Sequence, residues 1–293
     1  MGAALLDRVA GAPISWGVCE VPDWGYQLPP DRVLGEMRAL GLAATELGPD
    51  GFLPGDPPAW AGLLDAYGLR AVGGFVPLVL HDPGRDVPGT VAPVLDAFSA
   101  AGASTLVLAA ATGLDGYDGR VHLDDDRWRV LLANLDRVHD TAAERGITAT
   151  LHPHVGTIVE GPQEVARVLE GSSIALCLDT GHLLVGGSHP ARLAAAFPER
   201  IGHVHLKDVD AWLAAQIRSG ALTYTEAVKA GMYRPLGTGD VDVAAIVRVL
   251  ESAGYQGWYV MEQDAVLDHE PAPGKGPSAA VRASLTFLRE LAP

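Results

Sequence analysis

The 293-residue chain is poor in cysteine, poor in basic residues and without a long apolar run, and each shortage removes a class of protein. Its two cysteines, Cys19 and Cys177, stand far apart and form no CxxC pair. Neither a disulfide framework nor a cysteine zinc site is indicated, and a reducing, cytoplasmic setting is the expectation. Lys and Arg number 21 against 36 Asp and Glu, a formal net charge of -15. Nucleic-acid affinity comes largely from counterion release by a basic face, and no basic run offsets the acidic total, so no nucleic-acid partner is expected. Nowhere do the roughly 18 consecutive apolar residues of a membrane helix occur. The opening residues Met1-Gly2-Ala3-Ala4-Leu5-Leu6-Asp7-Arg8 have neither the basic start nor the apolar core of a signal peptide. No membrane partner is expected either.

What remains is a chain with 48% hydrophobic and 19% charged residues, the balance of a well-buried globular protein. Short β-branched runs at 12–16, 43–47, 70–76, 105–109, 147–151, 174–178, 201–206 and 257–262 read as strands. Segments with helical periodicity separate them at 30–40, 58–67, 91–101, 127–145, 163–169, 190–197 and 243–253, and a helix over 278–291 closes the chain. Gly41, Gly68, Gly102, Gly146 and Gly254 each follow a helical run, where a left-handed C-cap favours glycine. Eight β-then-α units with short αβ turns predict an α/β fold, a single (β/α)8 TIM barrel spanning 1–293, within the size at which such barrels form one core. A doubly wound sheet competes, but no GxGxxG follows the first strand and no Pro/Gly/Ser linker divides the chain.

Two stretches, 77–90 and 209–240, are too long for simple βα turns. The second contains a helical run over 211–230 and is expected to be an inserted helical segment after strand 7, a lid or rim on the face where barrels place active sites. A packing role, or a contact between copies in a homo-oligomer, is the other use of such a segment.

Polar residues at the carboxyl ends of barrel strands line the catalytic mouth. Here these ends carry Glu46, then His152 and His154, then Asp179, then His203, His205, Lys207 and Asp208, then Glu262 and Asp264. Any one of them has an ordinary structural explanation; Asp179, for example, can be only a helix N-cap. Four successive strand ends bearing imidazole and carboxylate together point to a shared divalent ion, with Mn²⁺, Co²⁺ or Zn²⁺ better suited than Mg²⁺. His205 lies nearer the mouth than His203 on the same strand face and is the better ligand. Lys207 continues that face as an electrostatic stabiliser or an acid–base group with a lowered pKa, an ion pair with Asp208 or another carboxylate being its ordinary use, and His182, three residues beyond Asp179, is placed to bind substrate.

The runs Leu151-His152-Pro153-His154-Val155-Gly156-Thr157-Ile158-Val159-Glu160, Leu178-Asp179-Thr180-Gly181-His182 and His203-Val204-His205-Leu206-Lys207-Asp208 resemble the xylose isomerase-like barrel superfamily of sugar isomerases, epimerases and dehydratases. Pro13-Ile14-Ser15-Trp16-Gly17, Gly74-Phe75-Val76-Pro77-Leu78 and Pro235-Leu236-Gly237-Thr238-Gly239-Asp240 extend the resemblance over nearly the whole chain. Within the superfamily the sequence is most similar to the inosose dehydratases, which remove water from 2-keto-myo-inositol. The resemblance implies a metal held by Asp179, His205 and Glu262. A fourth ligand falls at His152, where the superfamily usually has glutamate, with Glu160 and His154 as substitutes.

The chemistry so implied is metal-assisted formation of an enediolate from a cyclic polyol ketone, then loss of water. Lys207, His154 or Glu160 would serve as acid and Glu262 as base, and Trp16, Glu46, His81 and His182 would contact the hydroxyls. A metal-dependent ketose isomerase or epimerase shares every ligand, and a non-catalytic sugar-binding barrel is the reading from another class. No phosphate cradle is visible, so a small unphosphorylated polyhydroxylated ketone or sugar is the expected substrate.

Overall fold

A computed structural model describes residues 5–291. Residues 1–4, which carry half of the amino-terminal stretch read above, and 292–293 lie outside the described residues, as do those ends of the 1–293 domain reading.

In chain order the elements are β1 (Val9–Gly11), α1 (Pro30–Leu40), β2 (Ala44–Thr45), α2 (Pro57–Ala66), β3 (Arg70–Ala71), β4 (Gly73–Leu78), α3 (Val87–Ala101), β5 (Thr105–Ala110), α4 (Asp125–Ala143), β6 (Thr148–Leu151) and α5 (Pro162–Gly171). They continue with β7 (Ala175–Asp179), α6 (Thr180–Val185), α7 (Pro190–Ala196), β8 (Ile201–Leu206), β9 (Asp208–Val209), α8 (Ala211–Arg218), α9 (Tyr224–Lys229), β10 (Tyr233–Arg234), α10 (Val243–Ser252), β11 (Tyr259–Met261) and α11 (Pro277–Leu291). The main sheet runs β3-β2-β1-β11-β8-β7-β6-β5-β4, and its adjacent pairs are parallel. Its two ends, β3 and β4, are one stave interrupted only at Val72. Leu47 N–H donates to Gly73 O at 2.9 Å on one side, and Thr105 N–H to Val72 O at 3.1 Å on the other. Counted that way, eight staves close a TIM barrel, as the alternation predicts.

Helix starts follow local chemistry. Pro30, Pro57 and Pro162 occupy the first helical position, where a missing N–H costs nothing. Asp86 accepts from Gly89 N–H, so α3 begins at Val87 rather than at 91. On the opposite side of the barrel wall the helices bury leucine, isoleucine and valine, among them Leu95, Leu131, Leu135 and Ile246, all fully buried. No helix among the described residues is long and apolar enough to cross a membrane.

Two expectations need correction. Residues 12–16 are not a strand: the stave is Val9–Gly11, and Pro13–Trp16 form a 3-10 turn because Pro13 lacks the N–H that a ladder needs and sets the turn's first φ. Gly17, at φ 79°, ends that turn in the left-handed region. The inserted segment is also not one helical run. It is a β9–β10 antiparallel hairpin enclosing α8 and α9, with Arg234 opposite Asp208 and Tyr233 opposite Val209. Asp208 organises its return: its carboxylate accepts the N–H groups of Val209, Gly237, Gly239 and Val241 at 2.9–3.0 Å. A Cβ on Gly239 would lie 2.4 Å from Asp208 Oδ1, so only glycine fits there.

Candidate active site

Four strand ends meet at one buried point. β7 ends on Asp179, whose Oδ1 accepts Gly181 N–H at 2.9 Å and His182 N–H at 2.7 Å. Asp179 therefore is the N-cap of α6, but that task occupies one oxygen only. Its other oxygen, Oδ2, faces inward, 3.1 Å from His152 Nε2 after β6, 3.6 Å from His205 Nδ1 on β8 and 3.4 Å from Lys207 Nζ. Glu262, directly after β11, places Oε2 3.1 Å from His205 Nδ1 and 3.1 Å from Lys207 Nζ. All five side chains are buried.

Glu46, directly after β2, reaches across the barrel. Its Oε1 accepts from His205 Nε2 at 2.9 Å and from His203 Nε2 at 3.0 Å. The carboxylate is an acceptor only, so both imidazoles carry a proton on Nε2. His205 Nδ1 is left buried, without a hydrogen bond and aimed between Asp179 and Glu262.

Charge balance explains the proton affinities. Burial alone would raise Asp179, but Lys207, His182 and the hydrogen bond from His152 hold it well below the usual aspartate value. Burial likewise opposes ionisation of Glu46 and Glu262, and the facing imidazoles, with Lys207 in the case of Glu262, more than offset it. The lowered lysine pKa expected from sequence is not found: burial would depress Lys207, yet Asp179, Asp264 and Glu262 around it hold its ammonium well above the ordinary lysine range. His205 is also driven down by burial and pulled further up by the anionic groups beside it. His154 and His182 remain neutral, because burial and neighbouring positive charge push both well below the ordinary histidine value.

A second layer supports Lys207. Its Nζ lies 2.7 Å from Asp264 Oδ1 and donates to His182 Nε2 at 3.0 Å. Asp264 in turn accepts from the Tyr224 hydroxyl at 2.5 Å, and Tyr224 contacts the Tyr233 hydroxyl at 3.1 Å. His154 stacks on His182 with ring centres 3.7 Å apart and donates Nδ1–H to Val155 O at 2.7 Å. Its Nε2 lone pair is therefore free.

The donor set suits a divalent ion. Two ligand atoms about 2.0–2.2 Å from one ion lie roughly 3.0–3.5 Å from each other, and the His152–Asp179 and His205–Glu262 pairs stand 3.1 Å apart. Asp179, His205 and Glu262 form one of the compact ligand clusters among the described residues. Asp179, Glu262 and Asp264 surround the Lys207 ammonium, and Glu46 faces His205, so carboxylates outnumber the cations at the centre even with His205 protonated and negative charge is left for an ion. The most specific feature is the buried His205 Nδ1, set between two carboxylates, where an ion could take the place of its proton.

The residues expected from sequence separate into two groups. His152, His154, His205, Lys207, Glu262 and Glu46 line one cavity of about 500 Å³, Asp179 is immediately below it, and His182 is packed beneath His154. Glu46 spends Oε1 on the two histidines. Three others are elsewhere. Trp16 is fully buried off the cavity and donates Nε1–H to Glu36 at 2.9 Å, because the 3-10 turn swings it against α1. His81 is buried in the loop after β4, its proton affinity lowered by burial. Glu160 accepts Gly156 N–H at 3.0 Å and pairs with Arg120 at 3.4 Å, closing its own loop. Tyr117, Tyr224 and Tyr233 escape sequence reasoning: Tyr117 and Tyr224 line the cavity and Tyr233 packs on Lys207, but no strand-end position marks them.

The chain has relatives among known proteins. Residues 34–291 match the family model described as xylose isomerase-like TIM barrel. The rhizopine catabolism protein MocC of Rhizobium meliloti is 34% identical over 269 residues, 88% of this chain and 81% of that protein. An inosose dehydratase of Geobacillus kaustophilus is 31% identical over 277 residues, 89% of each chain. Among solved structures, an L-ribulose 3-epimerase superposes with a TM-score of 0.70 at 16% identity, covering 97% of this chain and 94% of the other.

Proposed function

Because the chain belongs to the xylose isomerase-like TIM barrel family, and is an enzyme of lyase or isomerase type, we propose that it is a metal-dependent dehydratase removing water from a cyclic polyol ketone such as 2-keto-myo-inositol. The observation that carries this reading is the His205 imidazole: Glu46 holds a proton on Nε2, so Nδ1, set between Asp179 and Glu262, is the nitrogen that takes an ion once its own proton has left. Metal-ligating histidines have this arrangement, a carboxylate on the far nitrogen orienting the near one.

Asp179, His205 and Glu262 would hold the ion, with His152 as the fourth ligand, and Mn²⁺ or Co²⁺ suits this mixture of imidazole and carboxylate. Bound there, a divalent ion polarises a carbonyl and makes the adjacent C–H more acidic. The chain supplies the rest. A base takes the α-proton: Glu262, as a carboxylate, or the free Nε2 of His154, both of which line the cavity. The Lys207 ammonium faces the same space and delivers a proton to the departing β-hydroxyl. One C–H and one C–O bond break, a C=C bond forms, and the hydroxyl leaves as water. Asp264 and His182 hold the Lys207 ammonium by ion pair and hydrogen bond, so that it need not reorganise during the step. Glu160, tied to Arg120 and Gly156, takes no part.

Protein reconstituted with Mn²⁺ or Co²⁺, given 2-keto-myo-inositol in one arm and free ketoses in another, tests the reading. Enone absorbance should rise with the inosose alone. An epimer or isomer formed without water loss would instead assign the ketose isomerase or epimerase alternative, and no turnover of the inosose would overturn the dehydratase.

A further inference from the structure

The cavity has two ends of opposite character. Its inner end is the cluster of Glu46, His152, His154, His205, Lys207 and Glu262; its outer arm runs between the β2–α2 loop, the start of α2 and the middle of α3, lined by Leu53, Trp60, Val94, Ala97 and Phe98, with Phe75 at the junction against His152 and His154. Asp50 of the β2–α2 loop also lines the cavity but is exposed, and Phe75, Val94, Ala97 and Trp60 are only half-buried, so apolar surface is left uncovered beside a polar centre. Trp60 adds one polar feature, an indole N–H that is buried and has no acceptor. A bare cyclitol, hydroxylated on every carbon, satisfies the inner end and wastes the outer one; apolar lining with a few placed polar groups is how sites recognise larger ligands.

We propose that the substrate is a polyhydroxylated ring bearing an apolar or aromatic substituent, which occupies the arm between α2 and α3 and, when it carries an acceptor oxygen, receives the Trp60 N–H. This specificity rests on the proposed polyol-ketone activity and narrows it. The ring presents its hydroxyls and carbonyl to the strand-end cluster, and the substituent leaves the barrel sideways rather than through the mouth.

Calorimetric titration of the metal-loaded protein with scyllo-inositol and with its mono-O-benzyl ether tests the inference, because neither has a carbonyl to react. The ether should bind about tenfold tighter or better, through the apolar area it buries. Ala97→Trp, which fills the arm at a distance from the cluster, should abolish that advantage and leave scyllo-inositol unchanged; Val94→Phe serves if the first variant folds poorly. Trp60→Phe, keeping the ring and losing the N–H, should weaken a 4-methoxybenzyl ether by about threefold to tenfold and spare the benzyl ether. Equal affinity of ether and parent on the wild-type protein, with the inosose still dehydrated, overturns this inference and leaves the activity standing. If neither cyclitol binds and the inosose is not turned over, both fall together.

Discussion

Substituting Glu46 by glutamine separates the orientation of His205 from its presence. Glu46 is 3% exposed, and its Oε1 accepts two imidazole N–H groups at 2.9 and 3.0 Å. Hydrogen bonds to a charged group contribute about 1.5–3 kcal/mol each against about 0.5–1.5 for neutral ones. If the glutamine carbonyl takes the place of Oε1, both bonds survive in weaker form, and the metal-free protein should lose about 2–3 kcal/mol of stability. If the amide turns its NH₂ inward, both imidazoles lose their acceptor, and when His205 gives up one proton the other can stay on Nδ1 and keep that nitrogen closed to metal. Either way divalent affinity should fall about 10- to 100-fold, the usual consequence of removing a partner behind a metal-bound histidine. Competition of Co²⁺ against a chromophoric chelator reads the affinity, and two-dimensional ¹⁵N–¹H spectra of the imidazoles read the tautomer. A Glu46→Gln protein that binds Co²⁺ within about twofold of wild type, with His205 still protonated on Nε2, would refute this orientation.

Three further outcomes follow from the same geometry. Divalent affinity should drop as pH is lowered, since the carboxylates hold a proton on His205 above the ordinary histidine range and that proton must leave before Nδ1 can bind metal; pH-independent affinity between pH 5 and 8 in the chelator assay would contradict it. Glu36 accepts from Trp16, Arg32 and Gly274 at 2.9, 2.7 and 2.9 Å, so Glu36→Ala should cost about 2–4 kcal/mol in urea unfolding. Burial works against Glu36, but those donors still depress its pKa, so its stabilisation should be present above the unfolded glutamate pKa and fade only as pH falls through the lower folded one. Burial pushes the Cys177 thiol up to about 11, and iodoacetamide at pH 8 should leave it unmodified in the native protein, as read by mass spectrometry; rapid stoichiometric labelling would show that the barrel interior opens.

Legibility of the sequence varied by element in an instructive way. Strands 201–206 and helix 30–40 coincide with β8 and α1 because long, regular patterns flanked by proline or glycine leave few alternatives. The stretch 12–16 has the composition of a strand, yet Pro13 breaks the ladder and its neighbours turn instead. In the 209–240 segment helical periodicity is real, but Asp208 gathers four backbone N–H groups from residues up to 33 positions away and folds the run into a hairpin with two short helices. Trp16 and Glu160 illustrate the same limit at the site: each lies near a strand end, and each is claimed by a partner, Glu36 or Arg120 and Gly156, that spacing cannot foretell.

The sequence by itself determined the alternation of strand and helix, the barrel that alternation builds, and which four strand ends would carry imidazole and carboxylate. Those properties follow from local periodicity and from parallel strands ending on one face. The tertiary structure alone decided how the groups are used: that Glu46 crosses the barrel to set the His205 tautomer, that Asp179 divides its two oxygens between a helix cap and the centre, and that an apolar arm opens beside the polar cluster. Each of these depends on distances between residues remote in sequence, and such distances exist only once the barrel has closed.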